Sequence, residues 1–113
     1  MARSGPKMTL PTQLVLRALL ERPTQPMYGL ELSQEAGLAT GTIHPILARL
    51  ETAGWLTSTW EDIDPSKQGR PRRRYYQLSK DGVERARYAL AHAHSSINRI
   101  PGGLRPRTAG SEA

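Results

Sequence analysis

Cysteine is absent from the 113 residues, which excludes disulfide frameworks and thiolate metal sites. No apolar run comes near the roughly 20 residues needed to cross a bilayer. The amino-terminal Met1-Ala2-Arg3-Ser4-Gly5-Pro6-Lys7 is basic but lacks the apolar stretch of a signal peptide. Catalytic signatures are missing too: there is no Ser/His/Asp set at a recognisable spacing, no Gly-rich phosphate loop after a strand, and no paired carboxylates in an apolar setting. His92 and His94 stand two apart on a helix, hence on different faces, and make poor joint metal ligands. The expectation is a non-enzymatic chain that needs no cofactor and no metal, located in the cytoplasm. Its length gives one domain with a modest core.

Charge is abundant, and its placement says more than its total. Residues 1–66 hold five Lys/Arg against seven Asp/Glu, whereas residues 67–113 hold eleven against three. The whole excess behind the net charge of +6 therefore lies in the second part of the chain. Such a block suits a polyanionic partner, nucleic acid before an acidic membrane surface. The competing reading is a solvated basic face that keeps the protein soluble.

Leu10, Leu14, Val15, Ala18 and Leu19 fall at helical spacing, with Pro11 tolerable in the first turn. Pro23 and Pro26 end that helix. A second, short helix is expected from about Tyr28 to Ala36, stopped by Gly37. A third is expected from Thr40–Thr42 to Ala53, stopped by Gly54. Three short helices with Gly-marked turns match a helix-turn-helix arrangement. The period then changes to two in Trp55-Leu56-Thr57-Ser58-Thr59-Trp60, which predicts a strand with Leu56, Ser58 and Trp60 on one face. A polar stretch from Glu61 to Arg73 separates it from a returning strand, Arg74 to Leu78, so the pair forms a hairpin with a projecting tip, a wing. Residues 62–73 are expected to be the least ordered internal segment. Ser79 is a good N-cap, with Asp81 in the first turn, for a helix reaching about Asn98.

Wound at 100° per residue, the third helix gathers Ile43, Ile46, Leu47 and Leu50 on its core side. Gly41, Pro45, Ala48 and Thr52 lie opposite, with Thr42, Arg49 and His44 along the margins. So small an outer face allows close approach to a groove or to phosphates, although a plain amphipathic helix shows the same pattern. Pro45 lacks an N–H, so the helix must begin only a few residues earlier, near Gly41 or Thr42. Thr42 and His44 then sit at the end whose free N–H groups attract phosphate. In the wing, Gly69-Arg70-Pro71-Arg72-Arg73-Arg74 with nearby Lys67 is the densest positive patch, and guanidinium groups suit phosphate oxygens and a narrow minor groove. Arg74 and Arg73 have a second use open to them, pairing with Glu61, Asp62 or Asp64 across the hairpin. The DNA-contact candidates are Thr40, Thr42, His44, Arg49, Lys67, Arg70, Arg72 and Arg73.

In the last helix Val83, Ala86, Leu90, Ala93, Ile97 and Ile100 are spaced 3, 4, 3, 4, 3, as in a coiled-coil seam. A helix lying on its own domain shows a similar stripe. The strict repeat favours a second copy, giving Val83, Ala86, Leu90, Ala93 and Ile97 as dimerisation candidates.

Taken in order, Tyr28-Gly29-Leu30-Glu31-Leu32, the run from Gly41 to Glu51, Gly54-Trp55-Leu56, the run from Gly69 to Leu78, and Ser79-Lys80-Asp81-Gly82 resemble the PadR family of bacterial winged-helix regulators over about Leu10 to Leu90. The resemblance implies an α+β, mostly α, winged helix-turn-helix with a β-hairpin wing and a C-terminal dimerisation helix. Its third helix would enter a major groove and its wing arginines a flanking minor groove or backbone. It also implies a nucleoid-associated homodimer that binds a pseudo-palindromic operator in double-stranded DNA as a repressor. His44 stands where the family usually has Tyr, so a phosphate contact by a phenol is not carried over. The chain resembles the short subfamily, without a separate effector domain. The expected organisation is an arm at 1–8, the DNA-binding domain at 9–78, the dimerisation helix at 79–100 and a disordered tail at 101–113. Two rivals stand beside this: a winged-helix module that binds an acidic protein, and a sensor whose dimer interface encloses a small-molecule effector of unknown chemistry.

Overall fold

Thr9 starts the first helix: its Oγ1 accepts from the Thr12 N–H at 3.3 Å, and Gln13 Nε2 donates back to the Met8 carbonyl at 2.9 Å. The computed structural model describes residues 5–98, and side chains as far as Ala93. Helix α1 spans Leu10–Glu21 and buries Val15, Leu16, Ala18 and Leu19 on one face. Burying each of the larger of these contributes roughly 1.5–3 kcal/mol. Beyond Pro23 and Pro26 comes a strand absent from the sequence expectation, β1 (Met27–Tyr28), and helix α2 runs from Gly29 to Ala36. The Tyr28 N–H donates to Glu31 Oε1 at 3.2 Å, which satisfies a group left open at the helix start. Gly37, at φ 72°, closes α2 in the left-handed conformation that glycine adopts without strain.

Helix α3 (Thr40–Thr52) follows, with Pro45 inside it and Ile43, Ile46, Leu47 and Leu50 buried. Strands β2 (Leu56–Trp60) and β3 (Arg74–Leu78) pair antiparallel, Leu56 opposite Leu78 and Trp60 opposite Arg74. β1 adds to the other edge of β3, Met27 opposite Tyr76 and Tyr28 opposite Tyr75, so the sheet has three strands in the order β1-β3-β2. The expected sharing of one face by Leu56, Ser58 and Trp60 fades along the strand. Leu56 is buried, Ser58 half-buried and Trp60 60% exposed, because the hairpin runs out beyond the core. The polar stretch between the strands contains one helical turn, α4 (Pro65–Gln68), capped by Asp64 and closed by Gly69 at φ 70°.

Ser79 anchors the last helix, α5 (Lys80–Asn98). Its Oγ accepts from the Gly82 N–H at 2.8 Å and donates to the Gly54 carbonyl at 2.9 Å, while its own N–H donates to the Trp55 carbonyl at 2.9 Å. The start of α5 is thus tied to the turn that ends α3. The core joins α1, α2, α3, the sheet and α5 through Leu16, Leu32, Leu47, Trp55, Leu78 and Ala86.

Two expectations need correction. Ala86, placed in the dimer seam by its spacing, is 0% exposed inside the core of its own chain, and Val83 and Leu90 pack partly buried against that core. The first half of the stripe is therefore used within one chain, and Ala86 is closed to a second copy. In addition, residues 5–8 do not stand away as an arm: Met8 packs on the core and Gly5 lies against the Trp55 ring. Of the expected seam, Ala93 is half-buried. The side chain of Ile97, together with Ile100, the tail at 101–113 and residues 1–4, lies outside what is described. No helix among the described residues is long and apolar enough to cross a membrane.

Candidate nucleic-acid interface

The outer face of α3 is built by exclusion. With Ile43, Ile46, Leu47 and Leu50 turned inward, Thr40, Gly41, Thr42, His44, Pro45, Ala48 and Arg49 are all exposed. The four candidates of this helix therefore stand on the surface together. No side chain caps its N-terminus at Ala39, whose carbonyl takes the first helical bonds, from Thr42 and Ile43. The N–H groups of Thr40 and Gly41 precede those bonds, at the end of the helix that favours anions. His44 leans back over the start of α2: a Cβ added to the buried Gly29 would come within 3.0 Å of its Cε1. Gly29 thus leaves room for the ring beside α2. At the other end, Glu51 fixes α3 to the hairpin by accepting from Ser58 Oγ at 2.6 Å and approaching Arg74 Nη2 at 3.5 Å.

The wing arginines separate into different jobs. Arg70 forms a two-pronged pair with Glu61, Nη1 to Oε1 at 2.7 Å and Nη2 to Oε2 at 2.9 Å. Glu61 Oε1 also accepts from the Arg73 N–H at 3.1 Å, and the Glu61 N–H donates to the Arg73 carbonyl at 2.8 Å. The guanidinium of Arg73 lies 4.2 Å from the centroid of the Tyr28 ring, itself edge-on to Tyr75. Arg74 lies 5.1 Å over the Trp60 ring. Arg72 is exposed, with its Nε donating to the Ile63 carbonyl at 3.0 Å; Lys67 is exposed on α4. Sequence reasoning foresaw an arginine pairing across the hairpin but assigned it to Arg74 or Arg73 with Glu61, Asp62 or Asp64. The structure gives Glu61 to Arg70 and Glu51 to Arg74. The missed participants are Glu51, which takes Arg74, and Tyr28, whose ring lies beneath Arg73.

The Arg70 hydrogen bonds hold the Glu61 carboxyl down from 4.5 to about 2, with the Arg73 N–H acting in the same direction against some desolvation. A carboxyl lowered on folding contributes stability that is present above its unfolded value and lost as pH falls through the folded one. Amide protection of the wing should therefore be flat from about pH 8 to about pH 5 and fall only as pH drops below about 4.5. Hydrogen exchange measured across that range checks it, and a loss of protection near neutrality would contradict it.

A groove of about 700 Å³ lies on another side of the molecule, where Pro6, Met8 and Trp55 meet Tyr88, Ala89 and His92 of α5. Tyr88 is 66% exposed, and its ring centroid lies 3.9 Å from that of His92.

A helix with a small, exposed polar face, fixed beside a cationic hairpin, is the arrangement the sequence comparison then places. Residues 15–88 match the transcriptional regulator PadR-like family. The chain belongs to that family. It is a DNA-binding regulator of winged-helix fold, not an enzyme. Among curated proteins none matches. Solved structures share the architecture. The PcaV transcriptional regulator from Streptomyces coelicolor, in complex with its natural ligand, is 26% identical with a TM-score of 0.64, covering 93% of this chain and 67% of that one. Smu.1704 from Streptococcus mutans UA159 is 28% identical with a TM-score of 0.59, covering 86% of this chain and 93% of that one. Reduced AbfR bound to DNA is 25% identical with a TM-score of 0.61, covering 86% of this chain and 60% of that one.

Proposed function

We propose that this PadR-like chain binds a pseudo-palindromic operator as a homodimer and represses transcription in the cytoplasm, at the nucleoid. α3 enters the major groove through Thr40, Thr42, His44 and Arg49, and the wing lays Lys67 and Arg72 against the flanking backbone or minor groove. The observation that carries this reading is the exposed small face of α3 beside a wing whose tip holds Lys67 and Arg72 outward. Such a face admits close approach to base edges, and the cations supply the sequence-independent part of affinity. That a solved relative of similar fold is bound to DNA supports the same reading.

For the dimer, the inward stripe of α5 gives way to its outward face. Tyr88 and His92 there are exposed, and with the half-buried Ala89 and Ala93 they offer a second copy an aromatic strip beside Trp55 and Pro6, flanked by the charged Asp81, Glu84 and Arg85. Two-fold association is the commonest oligomer mode and matches two half-sites about one helical turn apart. Light scattering in moderate salt should report twice the chain mass, and Tyr88→Asp should return it to one while the fold is kept. A monomer at tens of micromolar, roughly the upper range at which a specific interface still assembles, would remove the dimer. Absence of salt-dependent binding to any duplex would remove the DNA reading and favour an acidic protein partner.

A further inference from the structure

The neck of the wing is closed by one acidic side chain. Beyond the last strand pair, Trp60 opposite Arg74, the Glu61 backbone N–H donates to the Arg73 carbonyl at 2.8 Å, and the Glu61 carboxylate accepts the Arg73 N–H at 3.1 Å. The same carboxylate holds both terminal nitrogens of Arg70, and Arg70 Nη1 also donates to the Pro71 carbonyl at 3.2 Å. The Glu61 side chain is only 17% exposed and that of Arg70 32%, so this pair is more sheltered than the Asp81–Arg85 pair on α5, at 67% and 60%. Between the two ends, α4 is capped by Asp64 and stopped by Gly69, and Arg72 ties back to Ile63. With its neck clasped in this way, the loop presents Lys67 and Arg72 from a fixed frame.

We infer that Glu61 and Arg70 are positioning residues for DNA binding: they form a clasp that preorders the wing, and Arg70 itself does not touch phosphate. This rests on the reading that the wing meets DNA. Geometry favours the clasp over a phosphate contact, because both prongs of the Arg70 fork are already engaged on a carboxylate, the planar match for which guanidinium is suited. Three of the five guanidinium N–H donors are spent within the wing, on Glu61 and on the Pro71 carbonyl, and a phosphate approaching the remaining two would meet the Glu61 carboxylate at close range. Preorganisation raises affinity by removing the ordering cost from the binding step.

The inference carries an unusual sign. By Coulomb's law alone, removing a negative charge beside DNA strengthens binding. The clasp requires the reverse. Glu61→Gln should weaken duplex binding about tenfold, the scale of re-ordering one or two side chains on association, at every salt concentration and with an unchanged salt slope. Arg70→Lys, which keeps the charge but loses the fork, should behave like Arg70→Ala. The reversed pair Glu61→Arg with Arg70→Glu should bind more tightly than either single variant, the coupling that a double-mutant cycle isolates, but below the parent, because an arginine at 61 restores the fork and cannot accept the Arg73 N–H. In the free protein, hydrogen exchange over residues 62–72 should quicken in Glu61→Gln and in Arg70→Ala and slow again, in part, in the reversed pair, a change that a general loss of stability would not confine to the wing. Tighter binding by Glu61→Gln overturns the inference. So does an Arg70→Ala variant whose salt slope falls by about 0.9, the value of one phosphate contact, while Arg70→Lys binds normally. A parent chain that binds no duplex is a separate result, which removes the DNA reading and this inference with it.

Discussion

Gly82→Ala should lower the thermal midpoint by roughly 5–20 °C in a domain of this size, although alanine is the better helix former by about 0.8–1.0 kcal/mol in a helix interior. Gly82 is the third residue of α5, and a Cβ there would lie 2.0 Å from the Trp55 carbonyl oxygen, 2.8 Å from its carbon and 2.9 Å from Ser79 Oγ. The atoms in the way are backbone and the capping hydroxyl, not the end of a flexible side chain. Relief would require α5 to lift from the turn after α3, stretching the Ser79 N–H bond to Trp55 and the Gly82 N–H bond to Ser79, each shorter than 3 Å. Overpacking of this kind costs about 1–3 kcal/mol or more, and the damaged cap adds about 1. The sum, about 2–4 kcal/mol, leaves about 1–3 kcal/mol once the helix preference is taken off. Gly41 supplies the contrast on the same chemistry: a Cβ there meets nothing within 4 Å. Gly41→Ala should leave the midpoint unchanged or raise it slightly. Melting followed by circular dichroism compares the two, and a Gly82→Ala protein as stable as its parent would mean that α5 is not seated on Trp55.

That contrast illustrates what is visible in one dimension. Helix positions follow from spacing because they depend on neighbours three and four residues away: Val15, Ala18 and Leu19 in α1 and Ile43, Leu47 and Leu50 in α3 are buried as their periodicity requires, whereas Leu10, at the edge of the same α1 stripe, is 66% exposed and the fully buried Leu16 lies outside that stripe. Ser79 was legible because an N-cap acts on its own next turn. β1 was not. Two residues, Met27 and Tyr28, form a strand only because Tyr75 and Tyr76 arrive from far along the chain, and no local pattern marks so short a segment. The stripe on α5 was seen but its partner was not. A 3.5-residue repeat specifies an apolar face and is silent on whether the same chain or another covers it, and Ala86 is covered by its own core. In the wing, charge density located the cationic patch, whereas the division among arginines depended on hairpin register and twist. Trp60 opposite Arg74 puts Arg74 within reach of Glu51 and leaves Glu61 to Arg70.

Removing Lys67 and Arg72 together should cost affinity for every duplex alike. Each phosphate contact contributes about −0.9 to the slope of log K against log salt, so losing two flattens it by about 1.8 and weakens binding about 60-fold at about 0.1 M salt relative to a 1 M reference. Both side chains are exposed, and neither belongs to the Glu61–Arg70 clasp, so the neck should keep its form; Arg72 also gives up its bond to the Ile63 carbonyl, and unchanged hydrogen exchange over residues 62–72 shows that the charge is the main loss. Thr42→Ala or His44→Ala should act differently. Side chains on α3 that reach base edges discriminate sequence, at about 1–3 kcal/mol for a good specific contact, so their loss should be felt on a selected operator and scarcely on a scrambled duplex. Were both to touch only phosphate, as their place near the start of α3 also permits, their loss would be sequence-blind and would flatten the salt slope too. Binding curves on operator and scrambled duplexes at two salt concentrations separate these cases. If the Lys67/Arg72 variant binds scrambled DNA as tightly as its parent, the wing tip makes no backbone contact. The cationic hairpin would then be better explained by an acidic protein surface, whose binding should fall with salt without the logarithmic slope set by counterion release from a duplex.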